Sequence, residues 1–384
     1  MFSQIDQFII AGTIQNTNMK NKVLHIDTGF GWRGGQQQAV YLYEGLLEKG
    51  VDTLFYCKPN SKLETYFIDR GLPYKTEKLR NEVDILSARR IAKFAKENNY
   101  NILHLHTAHA ISIGLFAKLF NPHLKLIGMR RVDFHINKNP FSKLKYTSNL
   151  LDCIVCISNA IKKIVIQDGI PEDKVKVIPS GIDIHKFDNA NKNGLKTELG
   201  IPDSHLIVGT VAALVGHKDY PNLLKAAEKV IAKTENVSFC AAGSGAKEAR
   251  IRSLANKLSL EGRFHFLGYR DDIGRVLKNY DIFVLASKKE GLGTSVLDAQ
   301  SVGLPTVGTT AGGIPEMIEN GSNGLLVQKE EPQSLADAIL RLVRDKNLRE
   351  DLGQKAISSV RNYSIKKNIR RNIALYNELL AKSK

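Results

Sequence analysis

The chain has 384 residues, 43% of them hydrophobic and 24% charged, with four cysteines and a formal charge of +16 from 55 Lys/Arg against 39 Asp/Glu. At roughly 100–200 residues per domain this length describes two domains, and the composition excludes a disordered chain, a coiled coil, a collagen-like chain and a small disulfide scaffold. The positive excess leaves three anionic partners open: nucleic acid, a membrane surface or a phosphorylated substrate.

In chain order, residues 1–18 lack the basic start and long apolar core of a signal peptide, and residues 1–19 read as an extension ahead of the first strand. VLHIDTGF at 23–30 is a β-rich run broken by glycines, and residues 36–50 follow as a helical pattern. A strand at 53–57, a helix at 84–98, a strand at 102–106 and a helix at 110–120 come next. Strands LKLIGMR and DCIVCIS, a helix within 157–169 and KVKVIP at 174–179 close the first half. Residues 184–200 are polar and form the best linker. The alternation then restarts at LIVGTVA and continues through VSFCAAG, RFHFLG, DIFVLAS and PTVGTT, each separated by a helical segment. Helices at 333–344 and 365–380 end the chain. Strands alternating with helices of 10–15 residues predict parallel sheets with helical crossovers. No apolar run approaches 18 residues, so no membrane span is expected. Cys153 and Cys156 lie three apart in one strand, so they are read as buried thiols of a chain in a reducing cytoplasm.

Chemistry concentrates between Ser287 and Val327. A strand ends at Ser287, a glycine-rich turn follows, and a helix begins near Thr294. Amides at such a helix start hold phosphate, and Gly291 and Gly293 let the chain approach a ligand closely. Glu290 precedes the turn and Asp298 lies in the first turns of the helix, where a carboxylate suits the hydroxyls of a ribose or a sugar. A plain strand–turn–helix with a polar first turn is the alternative. In ILHLHT, His104 and His106 share a face of the strand, with His109 just beyond; no carboxylate accompanies the pair, so no metal is assigned. The loop at 128–140 carries Arg130 and Arg131 after a strand, where loops of a parallel sheet meet ligands; a salt-bridged surface loop is the alternative.

The series Glu290-Gly291-Leu292-Gly293, Asp298-Ala299, Gly303-Leu304-Pro305, Gly312-Gly313-Ile314-Pro315-Glu316 and Asn323-Gly324-Leu325 resembles the donor-binding signature of family 4 retaining glycosyltransferases. Gly31, Gly34 and Gly35 resemble that family's N-terminal glycine loop, which faces the donor phosphates. Ser158-Asn159-Ala160 resembles its serine-containing turn, Lys218 its phosphate lysine, and Gly243-Ser244-Gly245 its short glycine turn. The resemblance covers nearly the whole chain. It implies an α/β protein of the GT-B fold, two doubly wound Rossmann-like domains facing a central cleft. Residues 20–190 would then be the acceptor-binding domain, 191–364 the nucleotide-sugar domain, and 365–384 a C-terminal helix crossing back to the first.

What it implies for the site is equally specific. Gly34, Gly35, Lys218, Gly245, Glu290, Gly291, Leu292, Gly293, Thr294 and Asp298 would hold a nucleoside-diphosphate sugar. His106 would contact the transferred sugar, with His109 second, so that His106, Glu290 and Lys218 form the catalytic set. The family usually places an arginine five residues before its phosphate lysine; here that residue is Ala213, and Arg33, Arg130 or Arg131 would have to replace it. Aspartate at 298 stands where glutamate is usual. No metal or other cofactor is implied.

The expected activity is therefore transfer of a sugar to a glycan or lipid-linked acceptor, in bacterial envelope polysaccharide or lipopolysaccharide assembly. A nucleotide-sugar epimerase on the same plan is the alternative, and a basic nucleic-acid-binding protein ranks last, lacking an aromatic-interleaved basic stripe. Half of the net charge, +8, lies at 341–384, and residues 120–170 carry eight Lys/Arg against three Asp/Glu. These patches suggest a cytoplasmic enzyme offering an anionic membrane surface a basic face.

Overall fold

The computed structural model describes residues 21–136 and 140–382; the extension read at 1–19 lies outside them, apart from which the chain forms two parallel sheets. In the first, β1 (Lys22–Ile26), β2 (Asp52–Cys57), β3 (Tyr74–Thr76), β4 (Ile102–Leu105), β5 (Lys125–Arg130), β6 (Cys153–Cys156) and β7 (Val175–Val177) run in the order β3-β2-β1-β4-β5-β6-β7. In the second, β8 (Leu206–Val211), β9 (Val237–Ala242), β10 (Phe264–Gly268), β11 (Ile282–Leu285), β12 (Thr306–Thr309) and β13 (Leu325–Val327) run β10-β9-β8-β11-β12-β13. Strands such as β4, β6, β11 and β12 are buried along their whole length, because helices cover both faces of each sheet.

Several elements were not legible in the apolar pattern. The helix Lys62–Arg70 is fixed by its ends: Ser61 Oγ accepts the Glu64 N–H at 3.3 Å, and Gly71 closes it with φ +60°. The helix Lys346–Val360 is capped by Asp345, whose carboxylate accepts the Leu348 N–H at 2.9 Å. Its buried stripe includes Gly353 and Ala356, so small residues conceal its amphipathic period. A single turn of helix, Leu195–Leu199, lies inside the stretch read as linker, anchored by fully buried Leu195.

The chain crosses between the domains twice, side by side. Ile182 N–H donates to the Tyr363 carbonyl at 2.8 Å, and Ile365 N–H donates back to the Ile182 carbonyl at 3.0 Å. The last helix, Ile365–Ala381, then packs on the first domain against the helix Gly34–Glu48. Ile369 fills the space a side chain at Gly45 would need. Tyr376 hydroxyl meets His104 Nδ1 at 2.7 Å in the core, and Lys176 pairs with Glu378 at 3.0 Å. At the floor of the cleft Glu316 caps the helix Asn159–Gln167 of the opposite domain, accepting the Asn159 and Ala160 N–H groups at 2.9 and 3.0 Å.

Candidate active site

In each sheet the strand order reverses beside the first strand of the domain, between β1 and β4 and between β8 and β11. Loops at the carboxyl ends of strands flanking such a reversal form the ligand crevice of open α/β sheets. Those loops here are 27–33 and 106–107 in the first domain, and 212–218 and 286–293 in the second. The second domain's glycine turns meet the first domain at the loops that follow β5 and β6. A Cβ at Gly291 would collide with the Arg131 carbonyl, and one at Gly313 would stand 3.0 Å from Ser158 Cβ.

On the second-domain side Lys218 Nζ forms an ion pair with Glu290, and Ser287 Oγ lies 3.1 Å from the same carboxylate oxygen. The two side chains are 15% and 13% exposed, so the pair is shielded yet reachable. The backbone around Glu290 is held by the glycine turn that follows β12. Gly313 N–H donates to the Glu290 carbonyl at 3.2 Å, and Gly312, at φ +51°, lies where any Cβ would overlap that carbonyl. Gly293, at φ +96°, precedes the helix Thr294–Ser301, whose first N–H groups have no intrahelical partner. Leu292 is buried in the core, while Thr294 is half-buried at the helix start. Gly245 packs on the Leu214 backbone and so shapes the loop carrying Lys218. Asp298 is half-buried, and burial pushes its carboxyl up to about 6, offset by Lys186. Its charge also reaches Tyr41 of the first domain, so it sits at the crossing of the cleft.

On the first-domain side the arrangement differs from the sequence reading. His106 is 5% exposed, and both ring nitrogens are engaged: Arg131 Nη2 lies 3.3 Å from Nδ1, and His25 Nδ1 lies 2.8 Å from Nε2. A guanidinium only donates, so His106 Nδ1 accepts and its neutral ring passes the Nε2 proton toward His25. Both ring nitrogens of His106 thus face protein groups, and it meets the cleft through Arg131. His25, His104 and His106 stack with centroids 4.6–5.4 Å apart and planes within 21°. Their donor atoms lie within 4.8 Å of one another. Burial pushes the His25 imidazole down to about 3, and those of His104 and His106 well below the ordinary histidine range.

The three candidate arginines separate cleanly. Arg33 is exposed; its backbone N–H meets Gln36 Oε1 at 3.2 Å. Arg130 turns away from the cleft, donating to the Phe134 carbonyl and lying over the Tyr146 ring. Arg131 lies against Gly35, 3.6 Å from where a Cβ would stand, and its buried Nε has no partner among the described residues. Burial brings Arg131 down to about 10, opposed by Asp27. Gly34 is open to solvent, and Ala213 is exposed with no cation of its own. His109 is half-buried and holds the Asn81 carbonyl at 2.5 Å, which directs it to the flank of the domain instead of the glycine loops.

Two residues absent from the sequence reading complete the floor. Asp27 is fully buried and accepts from Gly29 N–H at 2.7 Å and from Gln36 Nε2 at 3.2 and 3.1 Å, which fixes the glycine loop. His25 links His106 to the core. The available signal was a polar residue, Asp27, at the end of an apolar strand directly before glycines.

Two doubly wound domains whose switch points open on one glycine-lined cleft make up the GT-B architecture. Residues 32–186 match the family Glycosyltransferase Family 4, and residues 191–359 match Glycosyl transferases group 1. The N-acetyl-alpha-D-glucosaminyl L-malate synthase of Bacillus anthracis is 25% identical over 77% of this chain and 84% of its own. The UDP-Gal:alpha-D-GlcNAc-diphosphoundecaprenol alpha-1,3-galactosyltransferase of Escherichia coli is 26% identical over 87% and 91%. Among solved structures, HepE of Anabaena in complex with UDP superposes with TM-score 0.82 at 20% identity, over 93% of this chain and 100% of its own. The chain belongs to the family 4, group 1 glycosyltransferases and is a glycosyltransferase enzyme.

Proposed function

We propose that this enzyme moves a sugar from a nucleoside diphosphate to a hydroxyl of a glycan or lipid-linked acceptor, with retention at the anomeric carbon, in bacterial envelope polysaccharide or lipopolysaccharide assembly. The observation that carries the reading is that Arg131, which lies against Gly35, meets Gly291 beside the Lys218–Glu290 pair. The C1–O bond to phosphate breaks and the nucleoside diphosphate leaves with the electron pair. The acceptor oxygen bonds C1 from the same face and gives its proton to the departing phosphate.

Charge grows on the leaving phosphate, so cations and amides aimed there lower the barrier. Lys218 and the amides at 292–294 serve from the second domain, and Arg131 serves from the first in place of the arginine missing at Ala213. On donor binding Lys218 exchanges part of its pairing with Glu290 for phosphate, and Glu290 turns to the sugar hydroxyls. Asp298 accepts from the ribose. His106 and His25 hold the Arg131 fork in place. The E. coli relative, by its name, uses UDP-galactose and a diphosphoundecaprenol acceptor, and HepE has been solved with UDP-glucose. Both support a UDP-sugar as the first donor to try.

The test is a thermal-shift and nucleotide-release screen across UDP-, GDP- and ADP-sugars, run beside Lys218→Met. One donor class should stabilise the wild type and release nucleotide with acceptor, and the variant should lose most of that turnover. Failure of every nucleotide sugar to bind, or formation of an epimeric sugar nucleotide without acceptor, overturns the reading.

A further inference from the structure

Lys58 stands directly after β2, at the carboxyl edge of the first sheet, and its side chain is only 8% exposed. Among the described residues its ammonium meets no carboxylate and no hydrogen-bond acceptor, although it offers three donors. A lysine so far out of water ordinarily finds a counter-ion, because a desolvated charge without one is unfavourable. The neighbour it has is a ring. Phe30, on the loop that follows β1, lies with its centroid 4.6 Å from Lys58 Nζ. A ring face offsets only part of the lost hydration. The ammonium nevertheless keeps contact with solvent, so a ligand can reach it.

The same loop turns two aromatic side chains outward: Phe30 is 61% and Trp32 36% exposed. Neither is loose. Lys62 N–H holds the Phe30 carbonyl at 2.9 Å, and Trp32 stacks on Tyr66 with ring centroids 4.9 Å apart. Tyr66 is fixed in turn by its hydroxyl on Glu44 at 2.9 Å and by the Arg70 guanidinium over its ring. Rigid exposed rings offer a flat apolar face at little cost in entropy, which suits the C–H face of a sugar. The surroundings are short of negative charge. Burial lowers the His109 imidazole, and the nearby charges of Lys58 and Lys145 lower it further. Glu82, which also reaches His109, is already paired with Lys145 at 3.0 Å. Position separates Lys58 from the cation assigned to the leaving phosphate. Arg131 follows β5 and the sheet runs β2-β1-β4-β5, so the strand ends carrying Lys58 and Arg131 stand roughly 14 Å apart, three strand spacings.

We infer that Lys58 and the Phe30–Trp32 loop form a subsite for an anionic group, a carboxylate or a phosphate ester, carried on a sugar ring of the acceptor. The ammonium meets the anion while Phe30 and Trp32 take the apolar face of the ring. The acceptor is then an acidic glycan, held on the β2 side of the glycine loop. Calling this ligand the acceptor rests on the glycosyltransferase reading of the cleft; the anionic-sugar subsite does not.

Trp32 is the one tryptophan of the chain, so its emission reports on this loop alone. Glucuronic acid, glucose 6-phosphate and glucose are titrated into the full chain, each with and without saturating UDP, and nucleotide-sugar binding is followed separately by thermal shift. At least one acid should change the emission, with glucose weaker by roughly ten-fold or more. Which acid prevails tells carboxylate from phosphate. Lys58→Met should bring the acid to the level of glucose, and Phe30→Ser, at an exposed position, should weaken it several-fold. No response to either acid, an equal response to glucose, or unchanged acid binding in both variants overturns the subsite even if a nucleotide sugar binds. Displacement of the acid by UDP also overturns it, because the cation then serves the donor. Acid binding that needs Lys58, in a chain that binds no nucleotide sugar, leaves the subsite standing and removes the transferase reading.

Discussion

Acid should unfold this protein earlier than its carboxylates alone would. His25, His104 and His106 are all held neutral in the fold, with burial as the leading cause in each case. A histidine whose folded pKa is depressed contributes stability that is present above its unfolded value near 6.5 and lost as pH falls below it, because the unfolded chain then binds the extra proton. Between pH 7.5 and 5.5, one such histidine costs about 1.4 kcal/mol, and three cost about 4 kcal/mol. Asp298 works in the opposite sense. With its carboxyl raised to about 6, it returns roughly 0.8 kcal/mol over the same interval, and Asp27, also raised by burial, adds in that direction. The net expectation is a loss of about 3 kcal/mol, read from urea midpoints at the two pH values with the slope checked for two-state behaviour. His25→Phe keeps a ring stacked on Phe55 and edge-on to Tyr43 while removing one titration, so its pH dependence should shrink by about 1.4 kcal/mol whatever its absolute stability. A wild type as stable at pH 5.5 as at 7.5, or a variant with an unchanged slope, refutes the neutral stack.

The other expectations concern the cleft and the last helix. Lys218→Met removes a leaving-group cation and should lower turnover on the order of 100-fold or more, measured at saturating donor; near-normal turnover would remove Lys218 from the site. Arg131→Met should slow transfer from a nucleotide sugar far more than from an activated donor with a more acidic leaving group, and installing arginine at 213 in that variant should recover part of the loss. Equal slowing with both donors would leave Arg131 a merely structural role. Gly312→Ala forces a Cβ into the Glu290 carbonyl at a left-handed position and should cost about 1–3 kcal/mol, visible in thermal melts, with donor affinity falling as Glu290 shifts. Tyr376→Phe leaves His104 Nδ1 without its partner and should cost about 1–3 kcal/mol while leaving donor affinity intact, since both groups lie away from the cleft floor.

Much of this architecture is written in local pattern. Buried parallel strands read as continuous apolar runs, so every strand of the first half except β3 could be placed from periodicity and punctuation. β3 and β13 are three residues each, and β3 is polar and largely exposed, whereas the equally short β7 sits in the apolar run KVKVIP. The helices Lys62–Arg70 and Lys346–Val360 are specified by caps more than by stripe. On the second-domain side the glycines and Glu290 sit in one ordered series, and the fold brings the distant Lys218 to it. The first-domain side was not legible, because its function depends on which neighbour each ring and guanidinium meets. Three arginines of equal promise in the sequence divide only once Arg130 folds back to Phe134 and Arg131 reaches Gly35 and His106. Likewise His106 looked like a ligand-facing residue until β1 set His25 alongside β4, in register with His104.

The paired crossings at Ile182 and Ser364 have a mechanical consequence. Two chain segments bonded to each other at one point behave as a pin, so the domains should turn about that line instead of sliding or separating. The carboxyl end of the last helix travels with the first domain although the second domain precedes it in sequence. A fluorophore near Lys382 and another on the second domain, at exposed Tyr269 for instance, would therefore report the opening angle directly. Anchoring the chain by its C-terminus would immobilise the first domain and leave the second to swing.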